Sequence, residues 1–302
     1  RPDGDRILSW MALAGLGLAL GMIVMRALIE GWARPRGFNI GPIVLSNAAI
    51  ALSVIAMLPL IRGRRWHSLL LLAAPLVGLA IILITASRGP LLTFPPLALV
   101  TSWFVWRTRF SSLRWFPLLA LAVLLAAAAA ALPFLPRDGR SIWDFIPQFA
   151  SGSEVTNSAA RARLVFHEAG WKAFLDSPWI GHGWARLMDA VVPYLRPEDL
   201  RYANLSQLHN DVLNFAVSGG VVGIACYFVI LTAPTIAAWR SVRDSYYATR
   251  LYGTAALMGV YAGAGLTDLM FGHEFHTAFY ITLNAIILGM CRDPSPPRPQ
   301  AT

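Results

Sequence analysis

Apolar residues in this chain come in runs of about twenty, separated by short breaks rich in arginine, glycine and proline. A run of that length is what an α-helix needs to cross roughly 30 Å of hydrocarbon. The pattern predicts eight membrane spans, near 7–26, 40–61, 68–86, 90–106, 115–135, 212–238, 251–267 and 276–291. The first run (Ile7–Met25) is too long for a signal h-region and no small-residue cleavage pattern follows it, so it reads as a span. The chain starts at Arg1 rather than at Met, and further N-terminal residues are expected to precede it. The expected fold is all-α, a polytopic integral membrane bundle. Spans one to five occupy 1–135, a large periplasmic helical loop 136–211, spans six to eight 212–291, and a cytoplasmic tail 292–302.

The polar breaks set an orientation. "RGRRWH" (62–67), "RTRFSSLR" (107–114) and "WRSVRDSYYATR" (239–250) fall on one side when every run is crossed, and the positive-inside tendency makes that side cytoplasmic. The other face should be periplasmic, across a bacterial inner membrane. It also carries arginines, among them Arg88, Arg161, Arg163 and Arg186, against the topological bias. Positive charge there suggests an anionic headgroup or phosphate.

Inside the long loop, "AARARLVFHEAGWKAFLDSP" (159–178) has helical periodicity, with Ala160, Leu164, His167, Trp171, Phe174 and Leu175 on one face. Arg161, Glu168 and Lys172 gather on one flank, whereas Arg163 has no carboxylate three or four residues away. "SPWIGHGW" (177–184) ends the helix in a glycine turn. A helix lying on the membrane surface, as a lid over a cavity between the spans, is expected.

Composition narrows the function. The chain has 302 residues, 56% hydrophobic and 14% charged, against about 25% charged in an ordinary soluble domain. The formal net charge is +9, carried almost entirely by arginine; Lys172 is the only lysine. No contiguous basic water-facing domain is visible, so nucleic acid is not an expected partner. Cys226 and Cys291 lie within or at the end of apolar runs, and neither a disulfide framework nor a metal centre is expected. H-E-x-x-H, acidic clusters and phosphate-binding glycine loops do not occur, and no cofactor is expected.

Two polar stretches interrupt this apolar background. "ILITASRGPLL" runs from one span through Ser87-Arg88-Gly89 into the next, and an arginine so near the hydrocarbon is costly unless it snorkels or is paired. "SQLHNDVLNFAVSGG" (206–220) sets His209, Asn210 and Asp211 at the mouth of another. His209 suits proton removal from a hydroxyl. The plainer reading is an interfacial cap, with Asn210 or Asp211 capping the helix that follows. Asp268, His273 and His276 fall on the same face as partners or as polar loop residues.

The order of these motifs resembles the O-antigen ligase and O-antigen polymerase superfamily of membrane glycan transferases, over roughly residues 35–290. The residues that carry the likeness are "SRG" between two spans, then Arg163, an aromatic-containing helix and Pro178-Trp179-Ile180-Gly181-His182-Gly183, then His209-Asn210 before Gly220-Val221-Val222-Gly223. Members usually have more spans, and often a tryptophan where His167 stands. The resemblance implies metal-independent, inverting transfer of a glycan on the periplasmic face. The donor is an undecaprenyl-pyrophosphate carrier and the acceptor a sugar hydroxyl, of the lipid A core for a ligase or of another repeat unit for an O-antigen or exopolysaccharide polymerase. His209 would be the general base, Arg88 and Arg163 would stabilise the leaving pyrophosphate, and Arg161, Asn210 and Asp268 would bind substrate or orient His209. Membrane lipids are the remaining partner. Two rivals stand beside this: a transporter or flippase of lipid-linked glycans, which would ordinarily show internal repeats absent here, and a structural subunit whose arginines bind anionic lipid.

Overall fold

The computed structural model describes residues 4–30, 41–62, 73–85, 87–109 and 158–290, with a few isolated positions between them. Nearly all of the expected fifth span, the first part of the loop and the tail lie outside the described residues. Every described element is helical. Seven of the eight predicted runs coincide with helices: α1 (Gly4–Glu30), α2 (Pro42–Ala56) continued by α3 (Leu58–Arg62), α4 (Ala74–Ile84), α5 (Arg88–Arg109), α8 (Asp211–Arg240), α9 (Tyr247–Gly265) and α10 (Glu274–Leu288). The loop contributes α6 (Ser158–Asp176), α7 (Leu187–Val191) and single 3₁₀ turns at Trp184–Arg186, Val192–Tyr194 and Pro197–Tyr202. Among the described residues, three helical stretches are long and apolar enough to cross a membrane: Gly4–Ile29, Pro42–Arg62 and Asp211–Arg240.

α2 and α9 form the centre. α2 packs on α1, α4, α5 and α9, and α9 in turn on α5, α8 and α10. Small side chains make this possible, since Ala48, Ala49, Ala51, Ser53 and Ala56 line the buried side of α2 and let its neighbours approach closely. One end of the bundle is closed by ion pairs. Arg62 bonds Asp5 at 2.9 Å and lies 4.0 Å over the Tyr246 ring, and Arg250 ties α9 to Asp244 and to the Met290 carbonyl. The arginine-rich breaks at 62 and 239–250 and both described chain ends therefore share one end.

α6, α7 and the 3₁₀ turns build a second core around Phe166, Ala169, Ala173, Val191 and Leu208. The face by which α6 packs on the protein is not its apolar stripe. Leu164, Trp171 and Leu175 are exposed, while Ala162, Phe166, Ala169 and Ala173 face inward with Phe174. The reason is steric: that alanine-rich face, with Gly170 against Leu213, brings the α6 backbone close to α8.

The single span expected over 212–238 is two helices. α8 breaks at Gly220, whose φ of 61° and ψ of −150° no L side chain adopts readily. The two halves lean back on one another: the Phe215 ring lies 5.4 Å from that of Tyr227, twelve residues on and about 18 Å away were the helix straight. The "SPWIGHGW" turn repairs the break. The amides of His182 and Gly183 donate to the freed carbonyls of Val217 (2.9 Å) and Ser218 (2.8 Å), and the amides of Val221 and Val222 donate to the carbonyls of Pro178 (2.7 Å) and Trp179 (3.4 Å). A Cβ on Gly181 or Gly220 would fall 2.4 Å from the facing backbone, so both glycines are required where the two strands of chain touch. Up to the break α8 serves both cores: Ala216 and Val217 pack in the loop's, while Val212 and Phe215 pack against the bundle's.

Candidate functional site

At the end of the bundle opposite the arginine pairs, three separated stretches converge on the loop that joins α9 to α10. The first is the Ser-Arg-Gly turn. Ser87 donates to the Pro42 carbonyl at 3.2 Å and meets Thr85, which in turn meets Ser46, so a chain of hydroxyls ties the turn to the first turns of α2. Gly89 abuts the α9–α10 loop so closely that a Cβ there would fall 2.2 Å from Thr267 Oγ1. The turn thus sets Arg88, at the start of α5, beside Thr267; the Arg88 side chain lies outside what is described.

The second is Arg163, on α6. Its Nε donates to the Thr267 carbonyl at 3.3 Å, and its Nη atoms make no hydrogen bond among the described residues. Burial disfavours the guanidinium charge and lowers its pKa, an effect the neighbouring Asp268 carboxylate partly offsets. His167, one turn along, is also pushed below its ordinary value, first by the protein crowding it and then by the Arg163 charge. A half-buried cation with unused donors is favourable ground for an arriving anion.

The third is His209. Its Nδ1 lies 3.2 Å from Asp268 Oδ1, with the two side chains 25% and 9% exposed. When Nδ1 carries the proton toward the carboxylate, Nε2 is left as an acceptor, with no hydrogen-bond partner among the described residues. His209 has φ of 52°, the one non-glycine residue among those described in the left-handed region. Strain of that kind survives where surrounding bonds enforce it, and it concentrates at functional sites.

Those bonds come from Asn210 and Asp211. Asn210 caps α8, its Oδ1 accepting from the Leu213 amide at 2.9 Å, while its Nδ2 donates to the Leu266 carbonyl at 3.2 Å. Asp211 is fully buried and its Oδ1 accepts from the amides of Met270 (2.9 Å) and Phe271 (3.3 Å). The two side chains clamp the α9–α10 loop on both sides of Asp268. Asp211 was considered only as a cap from the sequence; an acidic residue just before an apolar run gives no sign that its partners lie some sixty positions on. Thr267 was missed altogether.

The remaining nominated residue stands apart. Arg161 bonds Asp199 Oδ1 at 3.0 Å, in the loop's own core, and the structure does not bring it to His209. His276 is buried in α10 and both ring nitrogens lack a hydrogen-bond partner among the described residues, while its backbone carbonyl accepts from Tyr261 at 2.6 Å. The assembled group is therefore an imidazole–carboxylate pair, with a partly unsatisfied guanidinium on the same loop and the Arg88 backbone beside it. That arrangement can deprotonate a hydroxyl and bind a phosphate close by.

The family model described as O-antigen ligase matches residues 70–228, more than half of the chain and the stretch that holds the Ser-Arg-Gly turn, Arg163, His209 and the broken helix. A search of curated proteins found no match. The chain belongs to the O-antigen ligase family.

Proposed function

We propose that this O-antigen ligase family member transfers a glycan from an undecaprenyl-pyrophosphate carrier to a sugar hydroxyl of the lipid A core, at the periplasmic face of the bacterial inner membrane. The observation that carries the reading is the His209–Asp268 pair next to the free guanidinium nitrogens of Arg163. Asp268 holds the His209 tautomer, with Nδ1–H directed at the carboxylate and Nε2 open. Nε2 takes the proton of the acceptor hydroxyl as its oxygen attacks the anomeric carbon. The bond from that carbon to the carrier phosphate breaks on the opposite side, so the centre inverts. The carrier pyrophosphate leaves with the bonding electrons.

Its growing negative charge is met by Arg163 and Arg88, fixed cations that need no metal to act. Arg88 opens α5, so the positive end of that helix adds to the same field. Asn210 positions His209 rather than binding sugar, because both ends of its amide are engaged. Arg161 supports the loop's core through Asp199, and its substrate role is indirect.

The test is complementation of a bacterial host lacking its own ligase, with surface glycan read by gel beside membrane expression. The unmutated chain should restore glycan on the lipid core, while Arg88→Ala, Arg163→Ala and His209→Ala should be expressed and restore none. Restoration by the variants would refute the assigned roles. Longer repeat chains on the carrier, with none on the core, would identify a polymerase with the same chemistry.

A further inference from the structure

Trp179 and Ile180 are 73% and 76% exposed, among the most exposed large apolar residues described. They sit at the tip of a turn that is anything but loose. The Gly181 amide donates to the Ser177 carbonyl at 3.0 Å, Ser177 Oγ donates to the Gly181 carbonyl at 2.9 Å, and His182 Nε2 lies 2.7 Å from the Ala173 carbonyl at the end of α6. The four backbone bonds to the break in α8 hold the turn from the other side. Two large apolar side chains are thus presented to the outside by a braced scaffold. Upstream, Leu175 and Trp171 continue the same exposed stripe along α6.

The length of α8 says what covers them. From Val221 to Trp239 the chain carries no charged residue, and Val221, Val222, Phe228, Val229, Ile230 and Ile236 are exposed. These nineteen residues rise about 28 Å, close to the roughly 30 Å of a hydrocarbon core. A segment that short has to use its whole length to cross, which sets Val221 at one boundary of the bilayer and Trp239 at the other. Since Val221 and Val222 are bonded directly to the backbone of Pro178 and Trp179, the turn lies at that boundary too. Tryptophan favours this depth, with its ring among the headgroups and acyl ends.

We infer that the Trp179–Ile180 turn is a membrane wedge, seated at the boundary between lipid headgroups and acyl chains, which fixes the depth of α6 and of Arg163 relative to the bilayer. The inference does not depend on the transfer chemistry proposed above. It places the α9–α10 loop below the membrane surface. Phe271, whose amide binds Asp211, packs 5.9 Å from the ring of Tyr227, seven residues past the break and about 10 Å along the helix. The site would be recessed beneath the wedge, where a carrier anchored in the same leaflet brings its pyrophosphate.

The experiment uses the full chain in lipid nanodiscs, with Cys226→Ala and Cys291→Ala as background and a nitroxide attached at Ile180→Cys. Collision with oxygen, which concentrates in lipid, is compared with collision with a nickel chelate, which stays in water. Labels at Val229→Cys and Glu198→Cys serve as the lipid and water references, and Trp179→Cys as an independent second position. Positions 180 and 179 should be oxygen-dominated, on the side of 229. Nickel-dominated collision at both, as at 198, overturns the wedge. Low collision with both reagents at both positions overturns it equally, since protein rather than lipid would then cover the turn.

Discussion

Arg250 and Arg163 are the same side chain at opposite ends of one bundle, and they are treated in opposite ways. Arg250 is completely buried. Its Nε donates to Ser241 Oγ (3.0 Å), its Nη1 to the Met290 carbonyl (2.6 Å) and Asp244 Oδ1 (2.9 Å), and its Nη2 to the Val242 carbonyl. That guanidinium is saturated, and it locks the ends of α8, α9 and α10 together. Arg163 makes one long bond to a carbonyl and keeps its Nη donors free, although burial already costs it. A protein that needed Arg163 only for support could have given it partners of the kind it gives Arg250. Unused donors on a half-buried cation are better explained by a ligand that comes and goes.

The contrast is sharpest in paired variants. Arg163→Gln should leave insertion and thermal unfolding near those of the parent and lower the rate of glycan transfer by about 10²–10³-fold, the usual loss when a charge-stabilising donor is removed from a transition state. Arg250→Gln should do the reverse. It removes the charge that pairs with Asp244 and binds the Met290 and Val242 carbonyls in a closed place, costs about 3–5 kcal/mol of stability, and lowers activity only as far as folded protein is lost. Equal effects of the two on unfolding temperature would break the comparison.

Asp268→Asn separates positioning from charge within the site. The amide no longer holds Nδ1–H, so transfer should fall by up to about 10⁴-fold, with its dependence on pH changed and the fold retained. Gly220→Ala should act on the scaffold. A Cβ at that φ and against the Trp179 carbonyl costs about 1–3 kcal/mol, and limited proteolysis should open the 177–184 turn before the bundle melts. The smallest effect concerns His167. Its pKa is held down partly by the Arg163 charge, so Arg163→Gln should raise it toward the ordinary imidazole value while the crowding by protein keeps it short of that value; histidine NMR in micelles reads the shift.

Much of this was legible in the sequence, for identifiable reasons. Apolar runs report helices directly, and all seven that fall among the described residues are helical. His209 stood out because polar groups beside an apolar run need a reason to be there, Arg163 came from the family resemblance and Asp268 was one candidate partner among several; the structure brings the first two against the loop that holds the third. What could not be read was any arrangement made by backbone. "PWIGHG" and "SGGVVG" look like two unrelated glycine turns, yet they exchange four amide bonds across about forty residues, an exchange that leaves no side-chain pattern. Asp211 looked like a cap because its partners are the amides of Met270 and Phe271 rather than side chains. The face by which α6 packs on the protein was not legible either, because small residues form it while most of the larger apolar ones stay outside.

The account's central claim is that the His209–Asp268 pair performs chemistry. The most direct measurement is glycan transfer by purified protein in detergent, with lipid-linked glycan and acceptor supplied together, for the parent and for His209→Ala. Detergent abolishes any sealed compartment, so product formed there comes from an enzyme and not from a transporter. The account predicts that the parent forms product and that His209→Ala, equally folded by its unfolding temperature, is slower by about 10²–10⁴-fold. Transfer by His209→Ala at close to the parent rate would contradict it.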